Sequence, residues 1–171
     1  MEVTPQLGLL PVGRDPHSGL WEFVHVQSGS VPVRDASTGE LVLKDDCGIV
    51  FVLLPGGTFT MGAQAGSPSL PNYDSQARDD ESPVSEVTLE AFFLSKYEMT
   101  QGQWQRFTGR NPSVYPPGRR FDGKLHTLLN PLEQVSWTEC FEVLARLDLV
   151  LPTEAQWEYG ARAGTPTPWS S

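Results

Sequence analysis

A chain of 171 residues with 39% hydrophobic residues has the size and apolar content for one globular domain plus an appendage. Its formal charge of −9 disfavours nucleic acid and anionic membrane as partners, and no apolar run reaches the roughly 18 residues of a membrane span. Sixteen glycines and 15 prolines without a repeat period indicate a loop-rich fold rather than collagen or a helical bundle.

The start, Met1-Glu-Val-Thr-Pro, has neither the basic residues nor the apolar core of a secretory leader, so a cytoplasmic location is expected. Trp21 to Val26 reads as a strand, and Val31–Arg34 with Glu40–Leu43 as a hairpin across a five-residue loop. Gly48 to Leu54 is a continuous, β-branched apolar run, a strand buried on both faces. Pro55-Gly56-Gly57 turns the chain over, and Thr58 to Met61 alternates as a half-buried return strand.

From Ala63 to Pro83 the chain is polar and acidic, a loop of the length that often serves as a lid or binding loop. Its carboxylates lack the spacing and turn glycine of a calcium-binding EF-hand, which favours a solvated loop. Val84 to Glu90 and Phe92 to Leu94 read as one or two further strands.

Three helices have well-marked starts. Thr100 with Gln103, Ser136 with Glu139 and Thr153 with Gln156 form capping boxes, which places helix starts near 101, 137 and 154. The first should stop at Gly109, before Asn111-Pro112, and the second near Arg146. In the third, Trp157 and Ala161 share a face that would dock the tryptophan into a core. Glu154 and Glu158 fall on another face and point to solvent.

Few residues suggest chemistry. Cys47 and Cys140 are too few for a disulfide framework or a zinc site, and neither has a neighbouring base or cation that would activate a thiol. His17, His25 and His126 lack metal-ligand spacing and read as surface or turn residues. Arg106, Arg110, Arg119, Arg120 and Lys124 form the one basic cluster, without an RNA-binding signature, and read as a solvated loop.

The ordered blocks carry more. They run Phe51-x-x-x-Pro-Gly-Gly-Thr-Phe-x-Met-Gly62, Asp80-Glu81-x-Pro83, Val87-x-Leu89-x-x-Phe92, Tyr97-Glu98-Met-Thr100-x-x-x-Trp104, Asn130-Pro131-x-x-x-Val135-Ser136-Trp137 and Leu151-Pro-Thr-Glu-x-x-Trp-Glu158. Together they closely resemble the formylglycine-generating enzyme, or sulfatase-modifying factor, family.

The resemblance implies an α+β fold of the C-type-lectin-like kind, loop-rich and incomplete here, with short antiparallel strands and about three helices. It divides the chain into a lead-in extension with a β-hairpin at 1–46 and the N-terminal part of the family domain at 47–171. The family chemistry it implies is oxygen-dependent oxidation of a substrate cysteine to formylglycine, or a related metal-dependent oxidation, with copper or non-haem iron in complete members.

In the family the copper-binding cysteines and calcium-binding loops lie beyond the Leu-Pro-Thr-Glu helix. Neither Cys47 nor Cys140 matches a copper position, so no residue here is expected to be catalytic, cofactor-binding or metal-binding, and no cofactor is expected in this chain. The expected partners are a protein or peptide substrate or a complementing C-terminal half. Alternatives are a non-catalytic lectin-like binding module, with loops 63–83 and 111–129 as its surface, or a truncated gene remnant. Uncovered strand edges and apolar faces, such as Ile49 to Leu54, would favour self-association.

Overall fold

The computed structural model describes residues 7–165. The strands are β1 Leu9–Arg14, β2 Trp21–His25, β3 Val33–Arg34, β4 Leu41–Val42, β5 Val50–Leu54, β6 Gly57–Met61, β7 Ser85–Leu89, β8 Phe92–Ser95, β9 Arg120–Phe121 and β10 Lys124–Leu125. The helices are α1 Gln101–Thr108, α2 Trp137–Ala145 and α3 Glu154–Arg162. The fold is α+β, with short antiparallel strands and, among the described residues, three α-helices. The sequence Gly164-Thr-Pro-Thr-Pro-Trp169, which resembles the start of a further family block, runs outside the described residues.

The chain divides into two compact units, and it passes between them at Leu53/Leu54, Leu94/Ser95 and Leu151/Pro152. The first unit holds the residues up to Leu53 together with Ser95–Leu151. In it β1 pairs with β2 and β2 with β5, both antiparallel. β1 was not expected, because Pro11 and Gly13 disguise it; the pairing register slips between those two residues, as at a β-bulge. The expected hairpin forms as β3 and β4, with Val33 opposite Val42 and Arg34 opposite Leu41.

Val24, Leu41 and Val50 make the apolar core of this unit, with Val12 and Leu43 packed against it. Ile49, Val50, Val52 and Leu53 are all buried. The run expected to be uncovered is therefore part of the core, because β2 lies along it.

All three capping boxes form, each cap oxygen accepting the third helical amide and each third side chain accepting the cap amide. α1 ends at Gly109 in the left-handed region at φ 76° and α2 gives way at Arg146, as expected. Trp104 of α1 is fully buried.

The second unit holds Leu54–Leu94 and the residues from Pro152 on. Here β6 does not fold back on β5. It pairs antiparallel with β7 through five residue pairs, Gly57 with Leu89 to Met61 with Ser85. The Pro55-Gly56-Gly57 turn thus redirects the strand into a different ladder rather than closing a hairpin. α3 belongs to the same unit: the Tyr159 ring meets the Phe59 ring edge-on at 5.3 Å, and its hydroxyl donates to the Pro55 carbonyl at 2.9 Å.

Candidate functional site

In the second unit α3 organises the acidic loop. Gly62 lies at φ 88°, and a Cβ there would come within 2.6 Å of the Glu81 carbonyl oxygen, so the position needs glycine. The Gly62 amide donates to Glu158 Oε1 at 2.8 Å, the Arg162 Nε donates to the same oxygen at 2.7 Å, and Arg162 Nη2 donates to the Gly62 carbonyl at 2.8 Å. Glu158 therefore does not point to solvent as its helical spacing suggested; it is half-buried and holds Gly62, the residue that leads from β6 into the loop. Trp157 is the outward residue of α3, 63% exposed, and Tyr159 takes the inward role assigned to it.

The loop itself is tightly bonded. The buried Asn72 donates from Nδ2 to the carbonyls of Thr60 and Gly62 at 2.7 and 2.8 Å, and it adopts φ 54°, a left-handed conformation that asparagine tolerates. Gln64 accepts from the Ser67 amide and donates to its carbonyl, both at 2.9 Å, while the Asp74 amide donates to the Gln64 carbonyl. Asp79 to Glu81 form one exposed 3-10 turn. Sequence periodicity could not reveal this order, because side chain to backbone bonds with no repeat create it.

In the first unit the basic cluster separates into three parts. Arg106 donates to the carbonyls of Ser28, Asp45 and Asp46 at 2.9 to 3.0 Å. Arg110 pairs with Glu139. Arg119, Arg120 and Lys124 are exposed on the β9–β10 hairpin, which rests on a cluster of Tyr115, Phe121 and His126 rings with centroids 4.6 to 5.7 Å apart.

Cys47 is buried and its Sγ accepts the Lys44 amide at 3.2 Å. It lines a cavity of about 20 Å³, together with Lys44, Glu98, Thr100 and Gln103, with room for about one water. Cys140 lies on α2, where burial first and Glu139 second push its thiol above the usual range. These residues do not fit a copper(I) site, which needs two accessible thiolates on one ion. No group of three or more His, Cys, Asp or Glu residues suited to a metal occurs among the described residues. His25, expected at a surface or turn, is buried in β2.

Two aromatic side chains on α2 have no cover. Trp137 is 69% and Phe141 52% exposed, and their rings stack at 5.3 Å with 15° between planes.

The model of the sulfatase-modifying factor enzyme 1-like domain matches residues 46–170. The chain belongs to this family. Formylglycine-generating enzymes of Mus musculus and Bos taurus are each 25% identical over 166 residues, covering 70% of this chain and 42% of their own length. A chaperone protein LppX of Paenibacillus barcinonensis is 38% identical over 56 residues, 33% of this chain and 16% of its own. The solved structure of PvdO from Pseudomonas aeruginosa is similar with a TM-score of 0.48 and 25% identity, over 82% of this chain and 54% of that one. The chain thus spans less than half the length of the formylglycine-generating enzymes it matches. Among the described residues no helix is long and apolar enough to cross a membrane.

Proposed function

We propose that this chain supplies the N-terminal scaffold of a sulfatase-modifying-factor domain, and that the oxidising chemistry of the family, oxygen-dependent conversion of a substrate cysteine to formylglycine, needs residues beyond it. The observation that carries this reading is the state of the two thiols. Cys47 is closed in and bonded to a backbone amide, while on α2 burial and then the adjacent Glu139 push the Cys140 thiol above its usual range. Neither is placed to act as a soft metal ligand at neutral pH.

The complementing half is the proposed partner, and the exposed aromatic stripe of α2 is the surface it would cover. The test is conversion of a cysteine-containing sulfatase-type peptide with copper and oxygen, followed by mass spectrometry. The chain alone leaves the cysteine intact, and conversion requires the complementing half; conversion by the chain alone would overturn the reading.

A further inference from the structure

The β6–β7 ribbon of the second unit has two unlike edges. On the β6 side Asn72 Nδ2 donates to the carbonyls of Thr60 and Gly62, Arg162 donates to the Gly62 carbonyl, and the Gly62 amide donates to Glu158. The acidic loop and α3 thus close the outer edge of β6.

The same bonds fix how β7 is turned. The Thr60 carbonyl faces away from β7, and paired residues of an antiparallel ladder turn their backbone groups inward or outward together. Glu86 and Thr88, opposite Thr60 and Thr58, therefore present their amides and carbonyls on the outer edge of β7. The Thr58 and Thr88 hydroxyls bond at 2.9 Å, in keeping with the closer side chains of such outward-turned pairs. Among the described residues β7 has no strand neighbour besides β6, and no backbone bond outside that ladder reaches Ser85–Leu89. Neither proline nor lysine, the usual guards of an open edge, occurs within it.

The two faces of the ribbon differ as well. Phe59, Met61, Val87 and Leu89 share one face and are only half-buried, while Thr58, Glu86 and Thr88 are exposed on the other. Ala63 is the only fully buried hydrophobic residue of this unit among the described residues. Two strands with a half-covered apolar face fall short of an independently stable sheet.

We propose that the outer edge of β7 is where the complementing half joins this unit, by adding an antiparallel strand along Ser85–Leu89. The proposal rests on the reading of the chain as a scaffold that spans less than half of its formylglycine-generating relatives. Alternation and charge define the strand that fits. It carries apolar side chains beside Val87 and Leu89 and cationic ones opposite Glu86 and Glu90. A second copy of β7 would bring the same two carboxylates to the edge and fits less well.

The test uses the whole chain, labelled with nitrogen-15, and a blocked heptapeptide, Val-Lys-Val-Thr-Val-Lys-Val, at low salt. Titration should shift the β7 amides and slow hydrogen exchange at Glu86 and Thr88. N-methylation of the peptide's lysines and threonine, whose amides would bond β7, should weaken binding at least about tenfold, as should replacing both lysines by glutamate. N-methylation of the valines, on the peptide's other edge, should change binding by less than about threefold. These peptide changes leave the fold of the chain untouched. Unshifted β7 amides, equal weakening by the two methylation patterns, or shifts on α2 that Trp137→Ser with Phe141→Ser removes would overturn the proposal. Formylglycine formation by the chain alone is a separate readout, so the scaffold reading and the edge proposal fail separately.

Discussion

At Glu158 one carboxylate oxygen serves two donors, the Gly62 amide and Arg162, from a half-buried position. Replacing it by alanine strands the Gly62 amide and removes the carboxylate from a buried guanidinium. Glu158→Ala should therefore cost about 1–3 kcal/mol, measured by urea unfolding. Glu154→Ala, one turn earlier and exposed, should stay within about 0.5 kcal/mol. His25 supplies a second residue-level prediction. Burial lowers its pKa below the usual 6.5, an effect that the charge of Asp148 opposes. The folded state prefers the neutral ring, so its contribution is intact above pH 6.5 and is lost as pH falls below it. A series of melts between pH 8 and 5 should show that loss, and His25→Gln should flatten it. Neither residue was legible in the sequence. Helical spacing gave Glu158 an outward face, and a lone histidine in an alternating strand carries no sign of which way it points.

The helices were the most legible elements, because a capping box is a local device whose donors and acceptors lie within four residues. The strands were less so. β6 and β7 are separated by the acidic loop, and no local signal says that β6 will skip β5 to pair with β7. The α2 cap has an acid limit that follows from its geometry. The Ser136 amide, then Arg110, hold Glu139 down at about 2, well below its usual 4.5. A depressed carboxyl stabilises the fold above its unfolded pKa, so this contribution is present above about pH 4.5 and disappears as pH falls towards 2. Thermal midpoints of wild type and Glu139→Gln should differ at neutral pH and converge in that acid window. The outward stripe of α2 makes a separate prediction. Trp137→Ser with Phe141→Ser should leave unfolding free energy within about 0.5 kcal/mol, since exposed side chains hold little of it. The same pair should reduce any self-association seen by sedimentation velocity; an unfolded double variant would show that the stacked pair is structural.

For the whole molecule, the ordered motif blocks identified the family from sequence because each block combines turn, cap and apolar residues in a fixed succession. The integration of the lead-in was not legible, since the pairing of Glu22 and Asp15 with Lys96 spans more than seventy residues. The place of the chemistry rests on the two thiols. A copper(I) titration of the whole chain against a competing chelator, repeated with Cys47→Ser and Cys140→Ser, tests it most directly. The account predicts no stoichiometric site and the same curve for all three proteins. One equivalent of tightly bound copper(I), lost on replacing either cysteine, would contradict it.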